Sequence, residues 1–292
     1  MTPTRDPLRV TIMLAVYASF FIASDWVARH VFGWLGGDFA GGVTTLLVCA
    51  LFANWVALRI YENRSLAAAG LQVNRASAQN LLFGLAGGIG SACLVLAPPL
   101  LVGAAHFEPI AVPPTAGTLP FVTLMLAAGA AGEEILFRGY GFQLLMSAAG
   151  PFASIVPVGV LFALMHTGNP NATWFGIANT AGFGILFGYA FYRSRDLWLP
   201  IGLHFGWNFT LPLFGVNVSG LNIGVTGHQM VWTAGAMWSG GDYGPEASVL
   251  TSGALVLLWI FIVKSPLRRQ ASPLLDPPAE SVKCEPSPPL PS

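Results

Sequence analysis

LPFVTLMLAAGAAGEEILFRGYGFQLLM, residues 119–146, decides the fold. The run exceeds the roughly 20 apolar residues that a helix needs to cross a bilayer core. It nevertheless holds Glu133, Glu134 and Arg138 in its interior. The rest of the chain has the same apolar character. Of 292 residues, 54% are hydrophobic and 9% charged. Soluble domains carry about a quarter charged residues, so a soluble globular enzyme is excluded. Net charge is zero, with 13 basic and 13 acidic residues. No nucleic-acid partner is expected, because such binding needs a concentrated basic face. Cys49 and Cys93 lie in apolar runs and Cys284 in a polar segment. That pattern indicates neither a disulfide framework nor a cysteine metal site.

Working outward, about eight apolar runs appear. They cover residues 10–27, 41–60, 79–103, 119–146, 151 to past 166, 172–192, 197–216 and 249–263. The fifth and seventh are interrupted by polar residues. Arginines and lysines set the orientation. Arg5 and Arg9, then Arg59, Arg64 and Arg75, then Arg193 and Arg195, then Lys264, Arg268 and Arg269 all fall on one side if there are eight spans. Asp38, Glu108, Asp242 and Glu246 fall on the other, and Arg29 is the exception. The expected fold is an all-α integral membrane protein, a polytopic bundle of about eight transmembrane helices with N and C termini cytoplasmic. Residues 1–264 form the membrane domain. Residues 265–292 contain eight prolines and read as a disordered cytoplasmic tail. The pairs Gly84/Gly88 and Gly184/Gly188 have the spacing of close helix packing.

Ionisable groups at membrane depth mark function by default. Glu134 and Arg138 are four residues apart, share a helix face and can pair. Glu133 points about 100° away and stays free to act as a base. Phe162 and His166 share a face in the fifth run, and His204 and Asn208 share one in the seventh. Each motif alone also has a structural reading: an internal ion-pair network, a histidine bonded to a carbonyl, a polar contact between helices. At about 1.5 Å per residue, Glu133 lies roughly 21 Å deep, His166 roughly 22 Å, and His204 and Asn208 roughly 12 and 18 Å. The groups can therefore meet in one cavity. One carboxylate, two imidazoles and a carboxamide make a hydrolytic set: Glu133 and His166 hold and deprotonate water, and His204 and Asn208 face the oxyanion. Glu133, His166 and His204 also resemble a zinc ligand set, drawn from three helices, so zinc stays open. The chain has no His-Glu-x-x-His, no Gly-x-Ser-Gly and no Gly-x-Gly-Asp.

Glu-Glu-x-x-x-Arg at 133–138, Phe-x-x-x-His at 162–166 and His-x-x-x-Asn at 204–208 resemble the three motifs of the type II CAAX prenyl endopeptidase and bacteriocin-processing (CPBP, Abi) family. The likeness covers residues 119–216. It implies an intramembrane endopeptidase whose Glu133 and His166 activate water. His204 and Asn208 would stabilise the oxyanion, with Glu134, Arg138 and Phe162 in support. The family carries the metalloprotease label, and a metal-free glutamate mechanism has also been put forward for it. Its substrates are prenylated CAAX proteins or processed peptides such as bacteriocins. Such a substrate would reach the site from the bilayer or the cytoplasm. With no organellar presequence, the chain reads as a multi-pass protein of a bacterial inner membrane. Two other classes compete: a non-catalytic immunity or binding protein of the same fold, and a transporter with a carboxylate relay.

Overall fold

Helices begin where the sequence supplies a cap. The Asp6 carboxylate accepts from the Leu8 amide ahead of Pro7, and the Asn74 side chain accepts from the amides of Ala76 and Ser77. Thr173 and Ser248 do the same for the amides of Gly176 and Thr251. The computed structural model describes residues 6–276, with nine α-helices and one small sheet among them. The helices are α1 (Pro7–Ala57), α2 (Arg75–Leu101), α3 (Thr118–Arg138), α4 (Tyr140–Ala149), α5 (Pro151–Leu164), α6 (Trp174–Ser194), α7 (Trp198–Leu213), α8 (Ala236–Ser239) and α9 (Val249–Lys264). Strand β1 (Ala105–Pro109) pairs antiparallel with β2 (His228–Trp232), Ala105 facing Trp232. The all-helical expectation missed this sheet, because its strands come from links far apart in sequence.

Helix α1 folds back on itself. Tyr17 and Asn54 are hydrogen-bonded at 3.1 Å, and the rings of Phe20 and Phe52 lie 6.4 Å apart. Residues 37 positions apart on a straight helix would stand about 55 Å apart. The stretches Pro7–Val31 and Phe39–Glu62 therefore run antiparallel, each long and apolar enough to cross a bilayer. Arg75–Leu101 and Thr118–Ala149 also reach that length, while Pro151–Leu164 and Val249–Lys264 are apolar but shorter. The outward faces stay apolar: Trp26, Leu94, Phe152 and Ile260 are exposed. Several long apolar helices with such surfaces suit a multi-pass membrane protein.

The main core lies between α2, α6, α7 and α9, around Leu96, Phe187, Leu203 and Leu258. Helix α2 lies directly on α7. A Cβ on Gly84 would sit 2.4 Å from the Leu199 carbonyl oxygen, and one on Gly88 2.2 Å from that of Leu203. The spacing of these two glycines thus serves backbone approach.

The run 119–146 is not one helix. It breaks at Gly139, where the Asn54 side chain enters. Asn54 Oδ1 accepts from the Tyr140 amide at 2.7 Å, and Nδ2 donates to the carbonyls of Ile135 and Ala50. A carboxamide from another helix thereby replaces backbone partners at the junction. Past α9, Ser265–Asp276 was expected to begin a disordered tail. It packs instead: Leu274 is buried with Val10 and Met13, and Ser272 Oγ bonds to Gln143 Oε1 at 3.2 Å. Polar side chains and one leucine hold a segment whose prolines suggested disorder. The rest of the proposed tail, 277–292, lies outside the described residues.

Candidate active site

The α3 triplet divides its labour. Glu134 and Arg138 are fully buried, and Arg138 Nη1 donates to Glu134 Oε1 at 3.2 Å. The other guanidinium arm donates to the Gly184 carbonyl at 2.7 Å. The guanidinium also lies over the ring of Phe162, 4.8 Å from its centroid, and near those of Phe187 and Phe137. Glu133 points elsewhere, into a cavity of about 700 Å³, as the helical offset requires.

His166 was expected within a helix. Helix α5 ends at Leu164, and His166 sits in the turn that follows, its amide bonded to the Ala163 carbonyl. The tightened turn keeps the Phe162 stack, at 4.8 Å between centroids. His166 Nδ1–H donates to the Phe162 carbonyl at 2.8 Å, which leaves Nε2 facing the cavity. The carbonyl-bonded histidine and the cavity-facing one are the same residue.

His204, on α7, donates Nδ1–H to Glu134 Oε1 at 3.0 Å and stacks on Phe187 at 5.1 Å. Glu134 therefore both pairs with Arg138 and orients a histidine. His204 Nε2 and His166 Nε2 each stand 3.9 Å from Glu133 Oε2. That oxygen has no hydrogen-bond partner among the described residues. Asn208, one turn beyond His204, lines the same cavity. The structure thus brings Glu133, His166, His204 and Asn208 together, with Glu134, Arg138 and Phe162 directly behind them.

The distances around Glu133 are wider than those that a bound zinc sets between its ligands. Two ligands of one tetrahedral zinc at 2.0–2.1 Å stand about 3.3 Å apart, closer than either Glu133–His pair. Among the described residues, no group of three or more His, Cys, Asp or Glu side chains is arranged to hold a metal ion.

The sequence reading missed Glu246. It served there only as a charge on the far side of the membrane. It sits in the turn Pro245–Ala247, is 6% exposed, and lines the cavity with Glu133. Its oxygens accept from the Ser219 amide, from Ser219 Oγ at 3.0 Å and from Trp207 Nε1 at 3.3 Å. Burial pushes its carboxyl up from the usual range, against the pull of the Ser219 hydrogen bonds. No spacing rule links it to the other motifs. The nearest signal is its place two residues after the glycine-rich stretch Gly240–Gly244, in the tight fold ahead of α9. Asp25 and Arg29 also line the cavity, paired with each other at 2.7 Å.

Residues 115–210 match the family of Rce1-like type II CAAX prenyl endopeptidases. They form an Rce1-like domain. The match spans about a third of the chain and includes all three motifs. No curated protein shows significant similarity to the chain. The buried Glu/His pairs of this Rce1-like domain are consistent with the catalytic site of that family.

Proposed function

We propose that the chain is an intramembrane endopeptidase that hydrolyses a peptide bond with water activated by Glu133 and His166. One observation carries the reading. Glu133 Oε2 stands 3.9 Å from the Nε2 atoms of both His166 and His204, inside a cavity large enough for a peptide segment. That spacing suits one water hydrogen-bonded to all three groups. The water oxygen attacks the carbonyl carbon while its proton passes to Glu133. Glu133 then delivers the proton to the amide nitrogen as the C–N bond breaks. Asn208 donates an uncharged N–H to the oxyanion. His204 already gives Nδ1–H to Glu134, so its Nε2 donates to the oxyanion in the doubly protonated ring.

The same reading sets the frame around the site. The bundle has eight spans, with both termini cytoplasmic. Packing of Leu274 against Val10 supports placing both ends of the described chain on one side. The substrate is a peptide or protein that enters from the bilayer or the cytoplasm, and the host membrane is a bacterial inner membrane. The test is cleavage of a peptide library by the purified protein in detergent, beside Glu133→Gln, each with and without a chelator. Cleavage lost in Glu133→Gln and indifferent to chelation supports the glutamate mechanism. Cleavage lost on chelation and restored by zinc overturns it. Absence of cleavage by folded wild-type protein shifts the weight to a non-catalytic immunity or binding role.

A further inference from the structure

Among the described residues, Glu246 is the one carboxylate on the cavity wall with neither a cationic partner nor a part in the proposed hydrolysis. Its hydrogen bonds all come from neutral donors, Ser219 and Trp207. Among the described residues, no Lys or Arg is ion-paired with it. Its carboxyl is therefore held by hydrogen bonds with no paired cation, and burial disfavours its charged form until a cation arrives.

The rest of the cavity sharpens that imbalance. Asp25 cancels Arg29, and behind the wall Glu134 cancels Arg138. With His204 doubly protonated, as the proposed hydrolysis requires, the ionised forms of Glu133 and Glu246 leave one net negative charge facing one space. In a low-dielectric enclosure like charges attract a cation strongly. The cavity lining also offers apolar surface from Phe183, Trp207, Val218 and Ile223, beside polar groups such as Asn169 and Thr180. An aliphatic stem that ends in a charge fits such a surface.

We propose that Glu246 is a specificity-determining residue, the anionic end of a subsite that takes an ammonium or guanidinium group of the substrate. The word substrate rests on the endopeptidase reading; the cation site itself is measurable without it. A cation bound to Glu246 answers one charge and leaves Glu133 free for water.

The test uses the full chain in detergent and three probes, hexylammonium, hexylguanidinium and neutral hexanol, titrated by calorimetry. Wild type is expected to bind at least one cation about tenfold or more tighter than hexanol, the scale of a charge-assisted hydrogen bond. Glu246→Gln should bring that ratio close to one, whereas Glu246→Asp and Glu133→Gln should keep most of it. A stronger response to hexylammonium assigns the subsite to lysine or a free amine, and one to hexylguanidinium assigns it to arginine. Equal binding of all three probes by wild type overturns the proposal, as does a preference that survives Glu246→Gln. If Glu246→Gln does not fold, a photoreactive hexylammonium on wild type decides: labels within residues 216–246 support the subsite, and labels only elsewhere overturn it. Peptide cleavage in the same preparations is read separately, so a failed protease reading and a failed cation site give different results.

Discussion

Two of the polar clusters in this apolar bundle are built to opposite rules. At one end, Asp196 takes Asn80 Nδ2 at 2.8 Å and Gln270 Nε2 at 2.7 Å, and Gln270 also reaches Ser77 and Asn74. Burial pushes the Asp196 carboxyl up while these hydrogen bonds draw it back. Every arm of Gln270 is engaged, and the cluster joins three separate parts of the chain. In the cavity, Glu133 Oε2 and the two Nε2 atoms face one another at 3.9 Å with no direct bond. A saturated cluster fixes geometry, whereas an open one keeps its lone pairs for something else. The ion pair of Glu134 and Arg138 stands between these extremes: Glu134 Oε1 is closed onto both Arg138 and His204, while Glu134 Oε2 and Arg138 Nε have no hydrogen-bond partner among the described residues.

Substitutions can break this contrast one side at a time. The largest expected effect is at the open cluster. Glu133→Gln should lower peptide cleavage by about 10⁴-fold, the upper range for a general base, with thermal unfolding in detergent unchanged within error. A large fall in melting temperature would instead make Glu133 part of the scaffold. Next, Glu134→Ala leaves Arg138 buried without its partner. It should destabilise the fold by about 3–5 kcal/mol, read by thermal or denaturant unfolding. If unfolding is unaffected, the pair is not the closed element described above. Asn208→Ala should cost about 10²–10³ in kcat, the loss of one oxyanion donor, with little change in KM. A change confined to KM would place Asn208 in substrate binding. Smallest is Gln270→Ala, about 1–3 kcal/mol in stability for an unsatisfied buried partner. Its cleavage per folded molecule should stay at the wild-type level. Lost activity in the folded variant would erase the distinction between the two clusters.

What the sequence disclosed was local. The pairings of Glu134 with Arg138 and of Phe162 with His166 are both set by a four-residue step, so they can be read without knowing the neighbours. The apolar runs likewise carry their own signal, and most of their limits fall within a few residues of the helices. The hidden features depend on distant partners. Gly139 breaks a helix because of Asn54, a residue in another helix. Glu246 enters the cavity through Ser219 and Trp207, neither adjacent in sequence. Ser265–Asp276 looked unstructured because its proline content says nothing about Gln143 or Asp196 waiting to receive it. No periodicity encodes a contact that two separate segments make only after both have folded.

The saturated cluster also has a timing. Gln270 follows Asp196 by 74 residues, so the ribosome finishes one long after the other. At about 5–20 residues per second, that interval is roughly 4–15 s. During it the α6–α7 turn lacks its last donor, and Asp196 relies on Asn80 alone among these two side chains. The turn that orients α7, and with it His204, is therefore locked only after Gln270 has been made. The order of synthesis thus makes the placing of His204 wait on a side chain far downstream of it.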